Sequence, residues 1–248
     1  MIRYFSSKAA LTTIKARNLR VSEASTFNDP FEFSLVWPRQ NGVEVPHDWL
    51  RKGMDVRVRV LCVCDPDRLK PNGDVLMWSH YADKHTGFRI HFLKDFLARR
   101  AELSWDVEYE DVVPPVDPDH IGGFGLGARD TEAFEALSLA LRSKGSFWSY
   151  EEESRFFFQK RKCHFDRRRK FHYLRLPARA ITRVDAGLHT SQRDFGRMRR
   201  LLDSPDLAHV AFYKTEKVLG RFAVAYSAIR ESKRASKKHP LGPLEGAV

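Results

Sequence analysis

The chain has 248 residues, of which 42% are hydrophobic and 12% aromatic, and 43 Lys plus Arg stand against 32 Asp plus Glu for a formal charge of +11. That composition excludes a disordered or fibrous chain and suffices for a sizeable core. With no Pro/Gly/Ser-rich linker dividing it, the length reads as one compact α+β domain over 1–230 with a strand-rich sheet and a few flanking helices, then a basic, disordered tail over 231–248. No apolar run approaches the roughly 18–20 residues of a membrane span, and Met1–Phe5 leads into polar sequence, so a cytoplasmic protein with no membrane partner is expected.

In chain order, Phe5–Asn18 predicts a short strand and a helix capped by Ser6 or Ser7 and ended by Asn18. Leu19–Ser22 reads as a strand and Ser25–Pro30 as a tight turn. Val56–Cys64 is a further strand, with Asp65–Asp67 and Pro71–Asp74 as turns and a helical or irregular segment from Leu76 to His80. Gly87–Phe92 alternates as a half-buried strand, and Val107–Val112 is another. Gly122–Gly127 has the glycines of a phosphate loop without its preceding apolar strand, and reads as a connection. Thr131–Leu141 is an amphipathic helix; Arg155–Gln159, Phe171–Leu176 and Ile181–Val184 are strands; Gln192–Leu202 is a helix; Val210–Tyr213 and Arg221–Tyr226 are the last strands.

Three cysteines, Cys62 and Cys64 among them on one side of a strand, do not form a disulfide framework, and neither Cys163–His164 nor His80 and His85 have the paired spacing of a zinc module, so no metal site is expected. Positive charge is concentrated. Lys160, Arg161, Lys162, Arg167, Arg168, Arg169 and Lys170 supply seven cations in eleven positions against Asp166, interleaved with Phe165 and followed by Phe171 and Tyr173. Such a tract attracts polyanions by counterion release and offers rings for base stacking, so nucleic acid is the expected partner; a solvated charged face is the plain alternative.

Three blocks are dense in polar and aromatic residues: Arg20–Glu32, with Phe27-Asn28-Asp29-Pro30 inside it; Val75–Gly87, with Trp78-Ser79-His80-Tyr81; and Trp148–Arg155, with Tyr150-Glu151-Glu152-Glu153-Ser154-Arg155. Together with the opening Tyr4 strand they resemble, over roughly residues 1–230, a prokaryotic family known as domain of unknown function 2971. This chain departs from it at Ser154, where a tryptophan is more usual. The blocks resemble ADP-ribosyltransferases more distantly, through an early strand bearing Arg3 or Tyr4, a middle segment Ser79–Tyr81 and a late Glu153 ahead of a strand.

The second resemblance implies a split sheet and NAD as cofactor. Glu153 would stabilise the oxocarbenium-like charge as the nicotinamide–ribose bond breaks, with Tyr81 or Trp78 stacking on nicotinamide and Arg3 or Arg20 pairing with pyrophosphate. Asn28 or Asp29 would orient a ribose or the acceptor, Tyr4, Ser22 and Ser79 would complete the cofactor site, and His80, alone or with His85, would be an acid or base. Each has a structural alternative: Trp78 as core, Asn28-Asp29 as a turn pair, Glu153 in a salt bridge to Arg155 or Arg89, His80 as a satisfied polar group. Two further functions compete: a metal-dependent nuclease in which Asp29, Glu32, Glu151 and Glu153 collect a divalent ion, and a non-catalytic nucleic-acid-binding module of a defence or toxin system.

Overall fold

A computed structural model describes residues 1–34, 36, 49–113, 115 and 131–231. The chain opens with β1 (Ile2–Phe5) and turns into α1 (Ser7–Ala16), where the Ser6 hydroxyl accepts the Ala9 amide at 3.4 Å and Ala10, Leu11 and Ile14 form the buried side. Arg17, in left-handed conformation at φ 51°, ends the helix, so Asn18 begins β2 (Asn18–Val21) instead of capping α1. α2 (Trp49–Arg57) runs straight into β3 (Val58–Cys64), taking the first two residues expected of that strand. Pro71–Asp74 is the first turn of α3 (Pro71–Tyr81) rather than a free turn, because proline at the first helical position forfeits an amide that has no partner there anyway.

There follow β4 (Phe88–Phe92), α4 (Lys94–Ala98), β5 (Leu103–Asp106) and β6 (Glu108–Glu110), the last two replacing the single strand expected around Val107. α5 (Thr131–Arg142) leads into β7 (Ser143–Gly145), and β8 (Glu153–Gln159) carries the late glutamate at its head. β9 (His164–Asp166) and β10 (Phe171–Arg175) form a hairpin. β11 (Ile181–Ala186), α6 (Gln192–Leu202), β12 (Ala211–Lys217) and β13 (Val224–Arg230) close the fold, the final strand starting three residues later than expected. Gly122–Gly127 and the tail beyond Glu231 lie outside the described residues.

The result is a single α+β domain around an eight-stranded sheet in the order β13-β12-β11-β4-β1-β3-β8-β5, antiparallel except where β11 lies parallel to β12. One face carries the main apolar core. Phe5, Leu61, Val63, Phe88, Ile90, Phe156, Phe158, Val184 and Phe212 pack there against Ala10, Leu11 and Ile14 of α1, Phe96 and Leu97 of α4, and Met198 and Leu202 of α6. The opposite face holds two smaller clusters. One, around Leu50, Val60, Leu137, Leu141 and Phe157, is closed by α2 and α5; the other, around Ile2, Tyr4, Cys64, Met77 and Trp78, is closed by α3.

Between them the sheet forks. β1 and β3 are joined by a single residue pair, Ile2 with Cys64, and beyond it Ser22, just past β2, takes over, exchanging backbone bonds of 2.8 and 2.9 Å with Val60. β2 belongs to a second sheet with β10 and β9, so the fork is where the two sheets meet.

The turn from α3 into β4 is held tightly. Asp83, Lys84 and His85 are all left-handed, at φ 51°, 55° and 66°, and a Cβ on Gly87 would lie 1.9 Å from the Phe5 carbonyl oxygen. Three such residues in succession are costly for side chains with a Cβ, and the packing that enforces them tolerates no added atom. Gly87→Ala is therefore expected to destabilise the protein by about 2–4 kcal/mol, whereas Gly53→Ala, in α2 with no atom within 4 Å of the new Cβ, should stabilise it by up to about 1 kcal/mol. Denaturant unfolding of both variants checks this; a Gly87→Ala as stable as wild type would refute the rigid turn.

Candidate active site

The fork opens into a cleft of about 250 Å³ on the face shared by the two smaller clusters. Its floor comes from Ile2, Arg3 and Tyr4 of β1 and Cys62 and Cys64 of β3; its walls come from Ser22, the Thr26–Asn28 turn with Glu32, Met77 and Tyr81 of α3, and Lys144, Glu151 and Glu153. Members of all three sequence blocks thus converge here: of the candidate residues, Arg3, Tyr4, Ser22, Asn28, Tyr81 and Glu153 line this cleft.

The others do not. Trp78 is fully buried, its ring set edge-on to Tyr4 at 5.3 Å and its indole N–H donating to Tyr226 at 3.0 Å, so it has no free face for a ligand. Ser79 points away from the cleft, donating to the Val75 carbonyl at 2.9 Å and lying 3.1 Å from His85 Nε2. His80 is exposed beside Tyr150. Arg20 stacks its guanidinium on Phe171 at 3.6 Å while its carbonyl accepts from Arg3 Nη1 at 2.7 Å. Asp29 is a buried turn-former whose Oδ1 accepts the Phe31 amide at 2.9 Å. The surface side of helix α3 cannot be told from its buried side by residue type alone, so the placements of Trp78, Ser79 and His80 follow from packing, as those of Arg20 on β2 and Asp29 in its turn do.

Charge dominates the cleft's inner end. Arg155, fully buried, donates to Glu153 Oε1 from Nε at 2.9 Å, to Glu32 from Nη2, and to the Leu141 carbonyl from Nη1 at 2.8 Å. Lys144 Nζ lies 2.6 Å from Glu151, 2.8 Å from Glu153 and 3.8 Å from Glu32. Tyr81 donates its hydroxyl to Glu151, and the Glu153 amide donates to the Tyr109 hydroxyl at 2.9 Å. Glu153 therefore makes the salt bridge to Arg155 and a second to Lys144, while Arg89 pairs elsewhere, with Asp185 at 2.7 Å and Asp74 at 3.1 Å.

Three carboxylates face two cations, so one proton restores neutrality. Burial works to raise the Glu153 pKa, but Arg155 and Lys144 overcome it and hold this carboxyl below the usual range, ionised at all ordinary pH. Burial prevails at Glu32, which is raised to about 7, and also raises Glu151. Lys144 is driven the other way: burial opposes its charge, yet Glu153, Glu32 and Glu151 keep it protonated. Burial pushes the Cys62 and Cys64 thiols far up, so they line the cleft as inert groups.

Among the described residues no group of three or more His, Cys, Asp or Glu is arranged to hold a metal ion. Lys144 has no signal in the sequence; it follows α5 in an ordinary polar stretch, and only the fold brings it to acids from other segments.

The basic tract forms the exposed β9–β10 hairpin and its approach: Arg161, Lys162, Arg167, Arg168, Arg169 and Lys170 are exposed and Lys160 half-buried, with Phe165 and Phe171 also at the surface. Asp166, the one acid, is consumed locally, accepting the Arg168 and Arg169 amides at 3.0 Å.

The chain matches no family model, no curated protein and no solved structure. No helix among the described residues is long and apolar enough to cross a membrane.

The raised Glu32 has a consequence for stability. A carboxyl whose folded pKa exceeds its unfolded value stabilises the fold below the unfolded value and loses that contribution as pH rises through the folded one, here from about 4.5 to about 7. His91, lowered to about 4 by burial, acts oppositely in part of that window, so the test is a difference between variants. The unfolding free energy of Glu32→Gln minus that of wild type should rise between pH 5 and 7 by up to about 1.4 kcal/mol per pH unit. Urea unfolding at several pH values measures it, and a pH-independent difference would contradict the protonation assigned to Glu32.

Proposed function

We propose that the chain is an ADP-ribosyltransferase-like enzyme that cleaves NAD in this cleft and transfers ADP-ribose to a macromolecular acceptor. The proposal includes kinship with the prokaryotic family of unknown function that the three blocks resemble. The observation that carries the reading is the division of labour between two acids on one guanidinium: Glu153 kept ionised, Glu32 raised to about 7, both bound to Arg155 at the end of one cleft. Glycosidic chemistry needs such a pair, a fixed negative charge for the developing oxocarbenium ion and a second group able to move a proton near neutral pH.

The roles derive from that division. Glu153 stabilises the ribosyl cation and accepts from a ribose hydroxyl as the C–N bond breaks and nicotinamide leaves with the bonding electrons. The ionised form of Glu32 then takes the proton from the acceptor hydroxyl or amine as the new bond to ribose forms. Tyr81, lining the cleft and bonded to Glu151, is the ring available for nicotinamide, a role that buried Trp78 cannot take. Exposed Asn28 and half-buried Arg3, whose Nη1 donates to the Arg20 carbonyl, are further polar residues of the lining and suit the ribose and phosphate beyond the nicotinamide. At about 250 Å³ the cleft is smaller than the roughly 300–1,000 Å³ of pockets that enclose a whole drug-sized ligand. It therefore suits one nucleoside half of the dinucleotide, the rest lying across the rim.

A metal-dependent nuclease would use the same acids to gather a divalent ion. Against that reading, the ammonium of Lys144 already sits among Glu32, Glu151 and Glu153, where the ion would have to go. The acceptor is proposed to be nucleic acid on the strength of the exposed Arg167–Lys170 hairpin with Phe165 and Phe171 at its sides.

Calorimetry with NAD, followed by nicotinamide release in the presence of DNA, RNA or protein, tests the reading. Glu153→Gln should lower the release rate by about 10²–10⁴-fold without abolishing NAD binding, and Glu32→Gln should remove the rise of the wild-type rate with pH through about 7. No binding at millimolar NAD would discard the transferase. Reversing Arg167, Arg168 and Arg169 to Glu should weaken nucleic-acid binding and flatten its salt dependence by about 0.7–0.9 for each phosphate no longer neutralised; unchanged affinity would discard nucleic acid as the acceptor.

A further inference from the structure

A second pocket, at about 470 Å³ larger than the cleft, opens on the other face of the sheet, where α4 ends and β10 runs out. Its floor is apolar, with Phe96 and Leu176 nearly buried in the main core and the Arg100 guanidinium lying 5.3 Å over the Phe96 ring, so a nucleoside reaches that ring edge-on or by displacing Arg100. Its rim carries four arginines, Arg99, Arg100, Arg175 and Arg179. All four are exposed, and none has a salt bridge or side-chain hydrogen bond among the described residues. Of the acids in this region, Glu102 pairs with Lys162 and Asp206 with Arg17, while Asp95, one turn before Arg99 on α4, lies beyond ion-pair distance of all four arginines.

The local sequence explains the arrangement. Arg99 and Arg100 come directly after the last turn of α4, where a cation complements the helix dipole, and Arg175 alternates with buried Leu174 and Leu176, so it must project outward. Four guanidinium groups around one concavity repel each other, and no carboxylate among the described residues pairs with any of them. Guanidinium forks match phosphate oxygens bidentately, and an apolar, ring-bearing floor beside them suits a sugar or base. The volume is that of a pocket enclosing a small ligand.

We propose that this pocket binds a nucleotide through its phosphate, the four arginines holding the phosphate oxygens and the nucleoside lying on Phe96 and Leu176. It is a site apart from the cleft, on the opposite face, and does not depend on NAD chemistry. It has one connection to the basic hairpin: β10 carries Arg175 at its far end and begins beside the Arg167–Lys170 turn, about 13 Å away along the strand. A bound nucleotide is thus either free in solution or one unit of a strand that also crosses the hairpin.

Full-length protein is titrated with AMP and ATP by calorimetry, and with a 12-nucleotide single-stranded RNA labelled at its 3′ end by fluorescence anisotropy across a salt series. The variants are Arg175→Ala with Arg179→Ala, Arg99→Gln with Arg100→Gln, and the Arg167–Arg169 reversal. The pocket variants alter exposed side chains, and an unchanged thermal midpoint will show that they fold. Each pocket pair should weaken binding at least tenfold and lower the salt slope for RNA by about 1–2. Loss for AMP, ATP and RNA together identifies a free-nucleotide site, and loss for RNA alone identifies a strand-bound unit. Unchanged affinity for all three probes in both pocket variants overturns the proposal. If the hairpin reversal alone weakens RNA binding, the pocket falls while the hairpin stands, and failure of NAD cleavage bears on neither.

Discussion

A guanidinium with no exposure to water is the constraint around which this domain is arranged. Arg155 sits in the second strand from the edge of the main sheet, on a face otherwise filled by Leu137, Leu141, Phe157 and Phe33, and its charge has to be met there. Glu153 meets it from two residues earlier on the same strand face, Glu32 from a loop 123 residues away, and the Leu141 carbonyl from the end of α5. Removing one member of such a set leaves a buried charge uncompensated, which typically costs about 3–5 kcal/mol. The segments that carry these partners are accordingly fixed relative to β8, and the loop bearing Asn28 and Glu32 is fixed with them. The cleft has a defined wall because Arg155 cannot be left alone.

The opposite wall is set by a second network of the same kind. Arg89 and Asp185, both buried, face each other across β4 and β11 at 2.7 Å, with His91 at 2.8 Å and Arg183 at 2.6 Å completing the ring of partners around Asp185. Arg89 also reaches Asp74 on α3, which accepts from Tyr4 at 2.5 Å and from Tyr226. Tyr4 is therefore both floor of the cleft and anchor of α3, and through α3 this network holds Tyr81 against Glu151. The cleft lies between two buried charge networks, and the fork between β1 and β3 is the gap they leave. Such a site is held by groups whose own partners are locked, the condition for electrostatic preorganisation.

Most of the elements are legible in the sequence, and little of the charge pairing is. Strands such as Phe88–Phe92 and helices such as Gln192–Leu202 are local patterns, readable from alternation and helical spacing. Pro71–Asp74 misleads because proline, asparagine and glycine are turn residues and also a tolerable first turn of a helix when the residues after them support one. Trp78 and Tyr81 stand three positions apart on α3, and only the sheet beneath decides that the first is core and the second lines the cleft. The pair Glu153–Arg155 is local and readable two positions apart, but Asp185 and Glu32 lie 96 and 123 residues from Arg89 and Arg155, and no local pattern encodes such pairs. The three polar blocks are nevertheless a sound guide to where the cleft forms, since each contributes residues to its lining.

This cleft differs from the ion cluster around Asp185 in its imbalance. A purely structural network is best closed with equal numbers of acids and bases, as around Asp185, where Arg89 and Arg183 answer Asp185 and Asp74. Around Lys144 and Arg155 there is one carboxylate too many, and it is not removed by distance: Glu32, Glu151 and Glu153 all lie within 3.8 Å of one ammonium. The excess is carried as a proton whose affinity falls near neutrality at Glu32, beside a carboxylate that never takes it. Burying an ion pair confers little stability beyond what apolar packing would give, and an extra acid makes the arrangement worse. On the proposed reading, the extra acid is the group that would give up and take back a proton while Glu153 keeps its charge, the work that cleavage and transfer at a glycosidic carbon would require of the residues around it.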